Sequence, residues 1–322
     1  EVGGTLEEVV LPGLDSSAST LHISNVVGDL ILQITEGQVR VLQDGNLLDS
    51  WQPESPLTVA TANEAGQILV ALQGGKIVHL EIQNSKLQEI ASKQMDREVS
   101  CLDVHPFFTT DAADLVGDSG SVMRATLCAV GLWDDFTVRI LTLSNDLPEV
   151  LQIHLSTEEE EEEEEGQRRN NRNNMMARSL CLVTLDFASS GGNSSSSKTL
   201  ASHKGVDMLF VGLGDGTLVS FAVVQNDARV RVQSKKEVSL GTQRINLVPL
   251  QNEKGGTCVL ATGDRPTVIY LTGTSTTQNY NPKLCYSNVN LSPSEDGDQN
   301  DVSRPHAHES IAVNVAAPFF SP

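Results

Sequence analysis

The chain has 322 residues, of which 39% are hydrophobic and only 4% aromatic, and its formal net charge is −20 at pH 7. This length and apolar content can form one large domain with a core of mainly aliphatic side chains. The negative charge repels phosphate and disfavours direct, charge-driven binding of nucleic acid, and no apolar run approaches the about 18 residues that a membrane span needs.

Short apolar segments separated by Gly, Asp and Asn recur along the chain and predict β-strands in groups of four. A lone outer strand is predicted first, at residues 5–10. The five groups of four then follow at 19–24, 29–34, 38–42 and 46–51; 57–61, 67–72, 76–82 and 86–90; 99–107, 127–130, 136–143 and 149–153; 179–185, 208–213, 217–223 and 229–232; and 245–248, 257–261, 267–270 and 283–287. A sixth group begins at 310–319.

The spacing of these groups favours a β-propeller. Four strands recur roughly every 40–50 residues, which is the period of propeller blades, whereas a leucine-rich repeat takes about 20–30. No helical apolar period is sustained, and a β-sandwich, the main competitor, gives no reason for groups of four. We therefore predict an all-β fold: a single, incomplete propeller domain over residues 1–322, with about five complete four-stranded blades and partial terminal blades.

Three polar, low-complexity segments interrupt the repeat, at residues 157–178, 188–205 and 291–309. The first contains eight consecutive glutamates, at 158–165. None has the apolar spacing with which a segment orders itself by burial, so all three are predicted to be disordered insertions between strands. The acidic run is interpreted as a solvated loop, with docking to a basic partner as the alternative.

No catalytic or metal-binding constellation stands out in the sequence. The five cysteines form no Cys-x-x-Cys pair and mostly sit in apolar runs, which indicates buried free thiols in a reducing compartment. The Gly-rich stretch at 212–216 precedes a strand instead of a helix, so it indicates a hairpin turn and not a dinucleotide site. We therefore predict that the protein is not an enzyme and has no cofactor or metal.

Trp133 is the strongest candidate for a partner contact. It lies in the predicted turn at 131–135, where the corresponding turns of other groups have glycine. A large ring at a turn is poorly placed for a core between blades, and exposed aromatic side chains at loop tips are enriched in binding hot spots. The alternative is that the ring folds back over its own blade. The predicted partner-binding residues are Trp133, Asp134, Asp135 and Arg139.

Several stretches resemble the large subunit of the UV-damaged-DNA-binding complex, the adaptor family of cullin-4 ubiquitin ligases. They lie at residues 98–104, 129–134, 214–218, 235–243, 264–270 and 284–291. The large subunits of splicing and polyadenylation factors are similar overall. However, Gly-Leu-Trp-Asp at 131–134 and Asp-Arg-Pro-Thr-Val-Ile-Tyr at 264–270 look closer to the damage-binding adaptor.

The resemblance falls in the second propeller of that family and implies a seven-bladed propeller that docks the N-terminal part of the cullin. Its implied partners are the cullin scaffold and the other propellers of the same longer protein, with nucleic acid contacted only indirectly and no membrane. The implied role is that of a scaffold in the DNA-damage response and in ubiquitination, in the nucleus and cytoplasm. The alternative is a scaffold subunit of a splicing or cleavage and polyadenylation complex. The missing initial Met is expected of a piece of a longer chain, and the three insertions depart from the family pattern.

Overall fold

The computed structural model describes residues 11–107, 123–155, 176–186, 205–226, 229–251, 256–272, 275–276, 279–280, 282–289, 313 and 316. Over these ranges the chain forms β-strands joined by turns, and the strands make five four-stranded antiparallel sheets. Within the same ranges, no helix is long and apolar enough to cross a membrane.

Each sheet is one blade, and in each blade the strands pair in the order in which they occur along the chain. Blade 1 has β1 (Thr20–Val26), β2 (Leu30–Thr35), β3 (Val39–Gln43) and β4 (Asn46–Trp51). Blade 2 has β5 (Leu57–Ala62), β6 (Gln67–Leu72), β7 (Lys76–Gln83) and β8 (Lys86–Gln94). Blade 3 has β9 (Val99–Asp103), β10 (Leu127–Leu132), β11 (Thr137–Thr142) and β12 (Glu149–His154). Blade 4 has β13 (Ala177–Leu185), β14 (Val206–Leu213), β15 (Thr217–Asn226) and β16 (Arg229–Ser239). Blade 5 has β17 (Asn246–Gln251), β18 (Thr257–Thr262), β19 (Thr267–Thr272) and, after a short hairpin of β20 (Ser275–Thr276) and β21 (Asn279–Tyr280), β22 (Lys283–Asn288).

The core consists of four apolar layers, each between two neighbouring blades. The second strands of blades 2 and 3 lie between two neighbouring blades, and every residue of β6 and of β10 is buried. Outer strands are largely exposed, as β4 shows. The first strands of successive blades contact one another from β1 through β5, β9 and β13 to β17. This arrangement confirms the predicted propeller with five complete blades.

Glycine allows close approach between blades at two equivalent positions. A Cβ on Gly131 would lie 2.5 Å from Cys101 Sγ and 3.1 Å from Ala177 Cβ, which belongs to blade 4. A Cβ on Gly212 would lie 2.8 Å from the carbonyl oxygen of Ile245, at the start of blade 5. The repeated Val-Gly-Leu sequence therefore places a residue without a side chain where the next blade passes.

Some predicted boundaries were wrong. Strand β16 continues to Ser239 and not to residue 232, because a bulge at Ser234, with φ at 58°, carries the strand through a polar stretch. Strand β9 ends at Asp103, before the proline at 106. The last two residues of the expected insertion at 157–178 belong to β13, which starts at Ala177.

Several predicted segments fall outside the described residues. These are the strand at 5–10, most of the insertion at 157–178, the insertion at 188–205 except Gly205, and the insertion at 291–309. Of the predicted sixth group, Val313 and Ala316 are described, and the Val313 N–H donates to the carbonyl oxygen of Gly263 at 2.8 Å.

Blade 1 has an exposed apolar face. No other blade of the described chain packs on the side of blade 1 that faces away from blade 2. All the large apolar side chains that are at least 40% exposed belong to this blade, among the residues that the structure describes. They are Leu21, Ile23, Val27, Leu47 and Leu48.

Candidate functional site

The predicted site lies in the turn between β10 and β11, at the end of the blade that we call the upper face. Two residues of this turn have left-handed backbone conformations, Asp134 with φ at 63° and Phe136 with φ at 52°. Aspartate tolerates this region, but for a bulky residue such as phenylalanine it is strained. Two hydrogen bonds hold the turn: Trp133 N–H donates to the carbonyl oxygen of Glu98 at 2.8 Å, and Leu155 N–H donates to that of Phe136 at 2.9 Å.

The Trp133 side chain is half-buried and bridges two blades. The guanidinium carbon of Arg178, on β13 of blade 4, lies 4.6 Å from the centre of the ring. Such a cation–π contact contributes about 0.5–1 kcal/mol at an exposed site and fixes the orientation of the ring. The ring therefore packs partly against the next blade, and its remaining surface faces solvent.

Arg139 and Asp135 pair with each other behind the turn. An Arg139 Nη atom lies 2.5 Å from an oxygen of Asp135, and the guanidinium also contacts Glu149 at 3.2 Å and Asp96 at 3.9 Å. Burial lowers the pKa of Arg139, but the hydrogen bonds and charges of Asp135 and Glu149 outweigh it, so the pKa is raised and the group stays charged. With the Arg139 side chain only 12% exposed and that of Asp135 16%, these charges hold the turn in place.

A depression of about 870 Å³ opens on the upper face across blades 1, 2 and 3. Trp133 and Asp134 form one wall, and buried Leu57 and Val99 lie at its base. Apart from Thr58 on β5, its other lining residues come from turns and connections of the three blades. The charged ones are Glu36, Asp96, Arg97, Glu98 and Asp134. Four carboxylates against one cation make the depression negative.

Glu98 connects the depression to both neighbouring elements. Its carboxylate accepts a hydrogen bond from Gly74 N–H at 2.7 Å, in the turn of blade 2, while its main-chain oxygen accepts the bond from Trp133. Sequence reasoning missed Glu98, Asp96 and Glu36. Their contribution depends on which turns the propeller brings together, and the sequence carries no local signal for that.

In the ranges described above, no group of three or more His, Cys, Asp or Glu residues is placed to hold a metal ion. Burial raises the pKa of both Cys101 and Cys128 to about 12, so these thiols are unreactive. Cys181 is likewise buried, whereas Cys258 and Cys285 are partly exposed, and all five are free.

Buried polar groups tie the blades together beneath the site. The Asn63 side chain, in blade 2, donates to the carbonyl oxygen of Val104 at 2.9 Å, beyond the end of β9. The Asp103 carboxylate accepts the N–H of Leu182, in blade 4, at 2.7 Å and contacts His105 Nδ1 at 2.6 Å. Because buried polar groups need partners, these bonds favour one arrangement of the blades.

A comparison with protein families matches residues 1–299 to a model described as the RSE1/DDB1/CPSF1 second beta-propeller. Similar curated proteins include DNA damage-binding protein 1 of Oryza sativa subsp. japonica, which is 36% identical over 290 residues, 89% of this chain and 21% of that protein. DNA damage-binding protein 1a of Arabidopsis thaliana is 34% identical over the same shares. DNA damage-binding protein 1 of Drosophila melanogaster is 30% identical over 90% of this chain and 20% of its own length. The chain thus spans about a fifth of the length of these relatives.

A solved structure supports the fold independently. The β-propeller domain of Myceliophteria_thermophila Cps50 (Swd1) superposes with a TM-score of 0.52, covering 86% of this chain and 73% of that one. The sequence identity is 14%, so this likeness shows the propeller architecture alone.

Proposed function

Because the chain belongs to the RSE1/DDB1/CPSF1 second β-propeller family, we propose that it is a non-enzymatic docking scaffold whose partner is the N-terminal region of a cullin-4 type ubiquitin ligase scaffold. The name of its relatives, DNA damage-binding protein 1, supports a role in the DNA-damage response and a nuclear location. A further cytoplasmic pool, and cooperation with other propellers of a longer protein, belong to the same proposal.

The observation that carries this proposal is the depression beside Trp133. Tryptophan in a well-packed, fixed position is the residue type most enriched in binding hot spots. Here its ring is oriented by Arg178, and its turn is held by the bond to Glu98. A partner that contacts this wall meets a surface already in place, so little affinity is lost to ordering.

The lining of the depression favours a protein partner over a small molecule. Small-molecule pockets are lined mainly by hydrophobic and aromatic side chains. This one is mostly polar, with Pro56, Leu57, Val99 and Trp133 as its apolar residues. A partner segment with one apolar anchor for Trp133 and Lys or Arg side chains for the carboxylates would complement it. Charges at a rim contribute mainly to association rate and specificity.

Replacing Trp133 tests the proposal, with Trp51 as the matched control. Trp51 is the only other tryptophan in the chain, is also half-buried, and lies on β4 in blade 1, outside the lining of the depression. In a titration against the cullin N-terminal region, Trp133→Ala is expected to weaken binding about 30-fold, or about 2 kcal/mol. Trp51→Ala should bind within two-fold of the unmodified protein.

The salt dependence of binding distinguishes the contribution of the apolar Trp133 contact from that of the charged residues. The loss of affinity caused by Trp133→Ala should persist at high salt. The loss of affinity caused by Asp134→Lys should become smaller at high salt, because salt screens the interaction between charges. Unchanged binding by Trp133→Ala would refute the site. If the unmodified protein bound no cullin at any salt but co-purified with splicing or cleavage factors, the partner would be wrong and the RNA-processing alternative would replace it.

A further inference from the structure

The charge of the described chain is unevenly distributed among the blades. The described residues of blades 1 to 3 and their connections contain sixteen Asp and Glu against seven Lys and Arg. Those of blades 4 and 5 contain five against eight. Although the net charge of the chain is −20, the described residues of blades 4 and 5 are therefore basic in sum.

Much of this positive charge lies on β16, the outer strand of blade 4. This strand carries Arg229, Arg231, Lys235 and Lys236 against one acidic residue, Glu237. Lysines and bulges often protect exposed strand edges from unwanted pairing. Protection does not require one sign of charge, as the outer strand β8 shows with two lysines and a glutamate. The excess of four basic residues over one acidic residue on β16 calls for another explanation.

The two neighbouring lysines point to opposite sides of the strand, and the bulge at Ser234 sets which of them faces blade 5. Lys235 turns towards blade 3, where its Nζ donates to the carbonyl oxygen of Leu155 at 3.1 Å and pairs with Glu237 at 2.7 Å. Lys236 turns towards blade 5, where its Nζ lies 4.8 Å from the centre of the Tyr286 ring. Both ammonium groups are thus held in fixed positions.

The two arginines are exposed and lie near the end of the β15–β16 hairpin. With the described residues, neither forms an ion pair. Val230 is buried in the layer between blades 3 and 4, so its neighbours Arg229 and Arg231 point to the opposite face, towards blade 5.

We propose that three of these residues, the basic rim of Arg229, Arg231 and Lys236, dock an extended acidic segment of a partner protein. Arg229 and Lys236 are seven residues apart, so the rim spans about 20 Å along the strand. A row of cations at this spacing matches carboxylates on an extended chain. Proteins that bind single-stranded nucleic acid combine positive charge with exposed aromatic rings on which bases stack, whereas Tyr286, the ring beside this row, is covered by Lys236.

The test uses a fluorescent peptide of eight glutamates and measures its anisotropy against the full chain at low and high salt. Arg231→Glu should weaken binding about five-fold and Arg229→Glu with Arg231→Glu about ten-fold or more, since each reversal replaces an attraction with a repulsion. Lys86→Glu is the matched control: it makes the same change of charge at an exposed position on the outer strand β8. It should bind within two-fold of the unmodified protein.

The chain's own acidic run at 158–165 could compete for the rim, so the same titrations are made with these eight glutamates replaced by glutamine. Tighter binding by this variant would support the rim and identify the competitor. The proposal is overturned if neither protein binds the peptide at low salt, or if Lys86→Glu weakens binding as much as Arg231→Glu. It is also overturned if an oligonucleotide of equal charge binds the rim more tightly. Cullin binding should not change in the rim variants, which separates this surface from the Trp133 depression.

Discussion

Replacing Arg139 with methionine tests whether ion pairs hold the Trp133 turn, because methionine keeps much of the side-chain volume and removes the charge. The guanidinium lies 2.5 Å from Asp135, and both side chains are mostly buried. Losing a hydrogen bond between charged groups at such a place costs about 1.5–3 kcal/mol. Glu149 is 30% exposed and Asp96 66%, so water replaces Arg139 there and each pair adds at most about 0.5 kcal/mol. We expect the free energy of unfolding to fall by about 2 kcal/mol.

Urea unfolding at neutral pH measures this change as a lower midpoint with an unchanged slope. The control is the double variant Arg139→Met with Asp135→Asn. If the loss in the single variant comes from an unpaired buried carboxylate, the neutral amide should recover about 1 kcal/mol. A midpoint equal to that of the unmodified protein, or additive losses in the double variant, would refute the reasoning.

Three further predictions concern packing, pH and association. Gly131→Ala should lower the free energy of unfolding by about 1–3 kcal/mol, because the added Cβ would collide with Cys101 Sγ. The control is Gly37→Ala, which has open space around the added Cβ and should change the free energy of unfolding by less than about 0.5 kcal/mol in the same urea titration. Burial, with some repulsion from His105, lowers the pKa of His22 from 6.5 to about 4. The neutral form is therefore favoured on folding, and the stability it confers is complete above pH 6.5 and lost as pH falls towards 4. His22→Asn should show a smaller drop in urea midpoint between pH 7.5 and pH 4.5 than the unmodified protein, and an equal drop would contradict this. Ile23→Lys, on the exposed apolar face of blade 1, should reduce concentration-dependent association in sedimentation velocity, and unchanged association would show that this face is not responsible.

The blades were predictable from the sequence because a propeller strand carries two sequence signals: an apolar run, and the Gly or Asp turn that follows it. Strands such as Gln67–Leu72 combine both signals, and the predicted and observed bounds coincide. Prediction failed where a strand left that pattern. Beyond Val232, β16 is mostly polar, and only the left-handed Ser234 and its pairing with β15 reveal that the strand continues.

The candidate site was only partly predictable, because most of it is assembled from different blades. Trp133 could be singled out because a turn rarely has such a large residue. Nothing in the sequence around Glu98 indicates that this residue binds the Trp133 turn, and nothing around Arg178 indicates that its guanidinium covers the Trp133 ring. Likewise, the net charge of the chain gave no indication that β16 is basic. Contacts between repeats depend on how the blades are stacked, which a strand-by-strand reading does not contain.

The same contacts link the stability of the propeller to its proposed function. Trp133 is bound to Glu98 and covered by Arg178, and Glu98 in turn binds Gly74, so the wall of the depression is held by blades 2, 3 and 4 together. Any shift of one blade against its neighbours would move the ring relative to the carboxylates. Two buried hydrogen bonds oppose such a shift: Leu182 N–H donates to the Asp103 carboxylate, and the Asn63 side-chain amide donates to the carbonyl oxygen of Val104. A docking surface made of turns is therefore as rigid as the layers between the blades beneath it.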